Sequence, residues 1–159
     1  MLCYLRLSVN PNDEESLRRI INKPARGIGD TTVRKLSLAA AESGTTIWEV
    51  LSMLVKSEEL RVKNNSNQLE GETNFDSSFF TLRSSLKKLK PFYDMIASFH
   101  ESSATDDAYT LALRIAKESG LQQMIFSGND PEDVSRQENL QEMIDGIAAF
   151  VQDKSTPAA

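Results

Sequence analysis

A chain of 159 residues, 40% hydrophobic and 26% charged, is one domain's worth of sequence with enough apolar material for a core. Its net charge of −5 argues against a generic nucleic-acid coat protein, and its single cysteine, Cys3, excludes an internal disulfide and any cysteine-based zinc site. The first segment lacks the basic start, apolar run and cleavage site of a signal peptide, and no stretch approaches the ~18 apolar residues of a membrane span.

Nearly every segment reads as helix. Leu2 to Val9 is a short apolar piece that ends at Asn10-Pro11. Asn12 or Asp13 caps the next helix, whose first turn carries Glu14 and Glu15, favourable against the helix dipole. That helix runs to about Asn22 and Pro24 stops it. Asp30 or Thr31 caps a third helix to about Glu42, closed by Gly44, with Val33, Leu36 and Ala40 as its buried stripe. Thr45 caps a fourth, in which Ile47, Val50, Leu51, Leu54 and Val55 recur at helical spacing. Residues 62–77 are polar and turn-rich and read as a mobile loop.

A long helix is predicted from about Phe79 to Ser98 with the stripe Leu82, Leu86, Leu89, Tyr93 and Ile96. Pro91 inside it should kink it or split it in two. Ser103 or Thr105 caps another helix to about Glu118, ended by Gly120, and a short helix covers Leu121 to Phe126. Pro131 opens a last helix to about Asp153, with Leu140, Met143, Ile144, Ile147 and Val151 facing inward. The fold class is therefore all-α, a compact multi-helix domain over residues 1–153 with 154–159 as a frayed tail.

Between the second and third helices lies Asn22-Lys23-Pro24-Ala25-Arg26-Gly27-Ile28-Gly29-Asp30-Thr31-Thr32. A Gly-hydrophobic-Gly turn between helices lets backbone approach a phosphate, because neither glycine carries a Cβ. The following helix aims its unpaired N–H groups at the same place. Residues 17–36 hold six basic side chains against Asp30 alone, a net of +5 that leaves −10 on the rest of a chain totalling −5. Local basicity on an acidic body predicts one small docking surface, and the turn fits a helix-hairpin-helix element. Asp30 repels phosphate only weakly if its side chain turns back to cap Thr32 or Val33.

Other signals point to bland roles. No phosphate loop of the G-x-x-x-x-G-K-[ST] type is present. His100 is the only histidine, which removes histidine-paired catalysis and multi-histidine metal sites, and it reads as a helix-surface residue. Glu138, Glu142 and Asp145 read as a solvated helix face, and Trp48 as a core anchor. Arg83, Lys87, Lys88 and Lys90 have helical spacing, by default another solvated face, with a second DNA contact as the alternative. No catalytic or metal-binding residue is assigned.

With the turn placed, Tyr4-Leu5-Arg6-Leu7, Asn10-Pro11, Asp13, Arg19-Ile20-Ile21-Asn22, Pro24, Arg26-Gly27-Ile28-Gly29 and Thr32 resemble the UvrD/Rep/PcrA family of superfamily 1 DNA helicases. A second block, Arg136, Glu138-Asn139-Leu140, Glu142 and Phe150, resembles the R-x-E-N-L-x-E signature of the same family. The middle of the chain resembles it only in helical pattern. Leu17 stands where an aromatic residue is common, and Pro91 interrupts a helix continuous in relatives.

The resemblance implies a piece of a helicase, the all-helical 2B subdomain inserted in the second motor domain, and beginning at Met1 inside a helix-like segment fits such a piece. It implies no ATP site here; ATP and Mg²⁺ belong to motor domains outside the chain. It implies that the segment holds duplex DNA by its backbone and tunes 3′→5′ unwinding. The expected contacts are amides around Gly27, Ile28 and Gly29, charge from Arg26, a hydroxyl from Thr31 or Thr32, a second charge from Lys35, and Lys23 on the flank. Expected partners are the double-stranded DNA backbone, the remaining helicase domains, and repair or replication proteins, with no membrane. The expected location is the bacterial cytoplasm, at the nucleoid. The rival reading is an acidic all-helical protein-interaction module, favoured if the turn is buried. A helix-hairpin-helix glycosylase with Glu49 as its carboxylate lacks a lysine partner and leaves both helicase blocks unexplained.

Overall fold

Helix follows helix here because apolar residues recur at helical spacing between turn residues. A computed structural model of the protein describes residues 1–63 and 81–155. Its helices are α1 Leu2–Val9, α2 Glu14–Ile20, α3 Asp30–Ser43, α4 Ile47–Lys63, α5 Leu86–Ser102, α6 Ala108–Glu118, α7 Leu121–Phe126 and α8 Pro131–Ser155. Among the described residues there is no strand, so the all-α class holds. The described chain falls into two compact units, one of Asn12–Asp94 and one of Met1–Pro11 with Met95–Ala159. The expected loop at 62–77, apart from its first two residues, and the expected tail beyond Ser155 lie outside the described residues.

In the Asn12–Asp94 unit, Asp13 caps α2 by accepting from the Ser16 N–H at 3.1 Å and the Ser16 hydroxyl at 2.8 Å. The α3 cap is Gly29 rather than Asp30 or Thr31, and a glycine offers no side-chain cap bond. Asp30 is the first helical residue, where its charge suits the dipole, but its carboxylate does not turn back to cap Thr32 or Val33. Gly44 closes α3 in the left-handed conformation, as glycine permits. Thr46, not Thr45, caps α4. Its hydroxyl accepts from the Glu49 N–H while Glu49 accepts from the Thr46 N–H, a reciprocal pair that the Thr46-x-x-Glu49 spacing allows and Thr45 cannot make.

The predicted helix from Phe79 to Ser98 is interrupted, but not at Pro91. Its described part turns at Ser84–Ser85, where the Ser84 hydroxyl donates to the Thr81 carbonyl and competes with the backbone ladder. From Leu86 the helix runs through Pro91 to Ser102. Its buried register also differs from the expected stripe. Phe92 is buried, whereas Tyr93 is half-buried, stacked on Trp48 at 4.6 Å between centroids, with its hydroxyl 3.2 Å from Ser52 Oγ. Trp48 is thus a packing residue paired with Tyr93.

In the unit formed by both chain ends, Tyr4 and Leu7 of α1 are fully buried. His100 on α5 is exposed, as expected, with Nδ1 2.8 Å from the Ser8 carbonyl. Asp107, not Ser103 or Thr105, caps α6, accepting from the Tyr109 and Thr110 N–H groups and the Thr110 hydroxyl. The Thr110 bonds, backbone first, hold its carboxyl below the usual aspartate range. On α8, Leu140 and Ile144 bury against Ala116 with Met1 and Ile125 packed around them. Met143, Ile147 and Val151 are only half-buried, so the predicted inward face narrows along the helix.

Candidate nucleic-acid interface

The segment between α2 and α3 is built around one side-chain amide. Asn22 Oδ1 accepts from the Arg26 N–H at 2.7 Å and from the Ile28 N–H at 3.2 Å, closing residues 22–28 into a hydrogen-bonded loop. The Lys23–Pro24 peptide is cis. Ile28 is 2% exposed and pins the loop to the core of its unit. Its neighbours Gly27, Gly29, Asp30 and Thr31 are exposed. The turn therefore presents backbone outward around one buried anchor, and only Ile28 meets the burial that would favour a pure protein-interaction reading.

The two glycines are not equivalent. Gly27 has φ +71°, a left-handed conformation that side chains rarely adopt. Gly29 has φ −81° and ψ 169°, extended backbone open to any residue, with no atom of the described residues within 4 Å of where a Cβ would stand. The amides divide likewise. The Ile28 N–H is committed to Asn22, which removes it from the expected phosphate contacts. The Gly29, Asp30 and Thr31 N–H groups have no hydrogen-bond partner among the described residues, whereas Thr32 and Val33 donate to the Gly29 carbonyl at 3.0 and 3.2 Å. The unpaired donors thus lie just beyond the centre of the motif, on the first turn of α3.

Arg26, expected to supply charge at the site, is turned partly inward. It is half-buried, and its Nη1 donates to the Ile20 carbonyl at 2.9 Å and the Pro24 carbonyl at 3.2 Å. Its guanidinium carbon stands 5.5 Å from the centroid of Phe92. These contacts tie the end of α2 to α5 through a planar group suited to stacking and forked hydrogen bonding. Among the other candidates, Lys23 and Thr31 are exposed and Thr32 and Lys35 half-buried. Thr31 and Lys35 are four residues apart on α3, hence on one face.

The basic group of α5 splits by partner. Lys90 sits 2.8 Å from Asp94 and 3.2 Å from Glu59, and the Asp94 bond leads in raising its pKa. Lys88 instead lies along the turn: a Cβ on Gly27 would stand 3.5 Å from Lys88 Cδ and Cε and 3.6 Å from Nζ. Sequence reading set Lys88 apart, on another surface, whereas folding brings it to the glycine motif. No local signal could reveal this, because the two residues are far apart in the chain. Asn22 was visible as part of the motif, but not as its clamp.

The second sequence block, on α8, is structural at its centre. Leu140 is buried, and Arg136 bridges Glu132 at 3.3 Å and Asp133 at 2.9 Å along its own helix. Gln137 donates to the Ile125 and Gly128 carbonyls. Among the described residues no group of histidine, cysteine and acidic side chains is arranged to hold a metal ion, and no helix is long and apolar enough to cross a membrane.

Residues 1–158 match the family model of the UvrD-like helicase C-terminal domain. The chain is 26% identical over 149 residues to DNA helicase II of Salmonella typhimurium, covering 94% of this chain and 18% of that protein. It is 29% identical over 150 residues to DNA helicase II of Rickettsia typhi, covering 94% of this chain and 20% of the relative. With the ATP-dependent DNA helicase PcrA of Staphylococcus aureus it shares 26% over 144 residues, 91% of this chain and 17% of the relative. The chain thus spans no more than 20% of the length of these curated relatives.

Proposed function

This chain belongs to the UvrD-like helicase C-terminal domain family, and on that footing we propose that it is the 2B subdomain of an ATP-dependent 3′→5′ DNA helicase. In this reading it grips duplex DNA by the sugar-phosphate backbone and tunes unwinding. The glycine turn acts as a helix-hairpin-helix element. The ATP and Mg²⁺ chemistry belongs to motor domains outside the chain, and this segment is not catalytic. The remaining helicase domains and repair or replication proteins are its protein partners, and its setting is the bacterial cytoplasm at the nucleoid.

The observation that carries the reading is the turn from Gly27 to Thr31, exposed except at Ile28. Its left-handed glycine and the N–H groups of Gly29, Asp30 and Thr31, which have no partner among the described residues, form a basic-flanked surface. Amide donors at a helix N-terminus suit a phosphate oxygen. They touch no base, so binding is indifferent to sequence. The Asp30 carboxylate at the same helix start opposes the phosphate charge and keeps affinity low.

Titration of labelled duplexes of unrelated sequence at two salt concentrations tests the proposal. About two to four phosphate contacts predict a salt slope of about −2 to −4. Equal, weak binding to all duplexes is the expected result. Strong preference for one sequence, or no binding at low salt, would refute it.

A further inference from the structure

We propose that the turn is a composite site in which Lys88, from α5, supplies the cation that meets the bound phosphate, while Arg26 serves as the scaffold of the loop. This rests on reading the turn as a duplex-backbone site. Three observations lead to it. First, Arg26 directs Nη1 at two main-chain carbonyls and lies over Phe92, so this nitrogen is directed inward. Second, Lys88 is exposed and makes no ion pair among the described residues, unlike Lys90 on the same helix, which pairs with Glu59 and Asp94. Third, a Cβ on Gly27 would stand 3.5 Å from Lys88 Cδ and Cε and 3.6 Å from Nζ, which sets the exposed lysine beside an exposed position of the turn.

Gly27 thereby has two roles. It takes the left-handed conformation, and its position lies in ordinary contact range of the lysine stem. An ammonium with three rotatable donors is suited to a phosphate met from a neighbouring helix, since it imposes no planar geometry on the contact. The site then combines fixed amide donors from α3 with a mobile charge from α5.

The test uses the whole 159-residue chain and anisotropy of a short labelled duplex at several salt concentrations. Lys88→Gln keeps most of the stem and removes the charge; it is expected to weaken binding about two- to fivefold, the scale of an exposed charge contact. It should also make the salt slope shallower by about one. Lys88→Arg should restore the slope. Lys56→Gln, on the exposed side of α4, should leave the slope near that of the unsubstituted chain. Urea midpoints that match across the variants show that the effect is on binding.

If the unsubstituted chain binds no duplex, the functional reading fails and this inference with it. If it binds, and Lys88→Gln binds equally well with the same slope, the composite site is refuted while the functional reading stands. Equal losses from Lys88→Gln and Lys56→Gln also overturn it, since they report the overall field of the protein instead of a local contact.

Discussion

Substituting each glycine of the motif by alanine separates backbone conformation from crowding. At Gly27 an alanine must hold φ +71°, at a cost of about 1–2 kcal/mol. The added Cβ stands 3.5 Å from Lys88, an ordinary contact that adds little. A less flexible unfolded chain returns about 0.4–1 kcal/mol, leaving Gly27→Ala destabilised by about 1 kcal/mol. At Gly29 the backbone is extended and the space open, so no strain arises. Alanine is a poorer N-cap than glycine by about 0.5–1 kcal/mol, and the unfolded-state term offsets it, so Gly29→Ala is near neutral. Urea unfolding followed by fluorescence of Trp48, the sole tryptophan and in the same unit as the turn, is the assay. With a slope of about 1–1.5 kcal/mol/M, the midpoint of Gly27→Ala falls by about 0.7–1 M while that of Gly29→Ala stays close to the parent. Asn tolerates the left-handed region, so Gly27→Asn should recover part of the loss. Equal midpoints for the two alanine variants, or a larger loss at Gly29, would refute the assignment of the strained position.

Two further outcomes follow from the caps and clamps. Asn22→Ala removes the acceptor of the Arg26 and Ile28 amides and should cost about 1–2 kcal/mol in the same urea assay, with Asn22→Asp losing less because an oxygen remains. Asp107 titrates below its ordinary range in the folded chain, so its contribution is present above the unfolded carboxylate pKa and is lost as pH falls through the lower folded value. Asp107→Asn, a capping residue that does not titrate there, should flatten that acid limb when stability is followed by circular dichroism down the pH scale.

Local chemistry made much of the fold legible. The left-handed stop at Gly44, the proline start at Pro131 and the short helix Leu121–Phe126 are decided within a few residues, and they stand where the sequence puts them. Choices among neighbouring caps were less legible, since Thr45 and Thr46 are chemically alike and only the Glu49 reach distinguishes them. The Phe92 and Tyr93 inversion on α5 has a different origin. Either fits a helical stripe, and packing selects the apolar ring for the core while the phenol pairs with Trp48 and Ser52. At the candidate site the motif was visible, but not the division of labour within it. The inward commitment of Arg26 and the approach of Lys88 to Gly27 depend on which helix lies under the turn, and no spacing rule encodes that.

The Asn22 clamp bears on the thermodynamics of any encounter at this turn. A loop whose amides are tied to its own side chain, with Ile28 fixed in the core, has its shape before a ligand arrives. Little conformational entropy remains to be lost when something docks there, so even a few weak polar contacts translate into net attraction. The same rigidity means that a ligand must match the turn as it stands, which makes the surface a gauge of backbone shape.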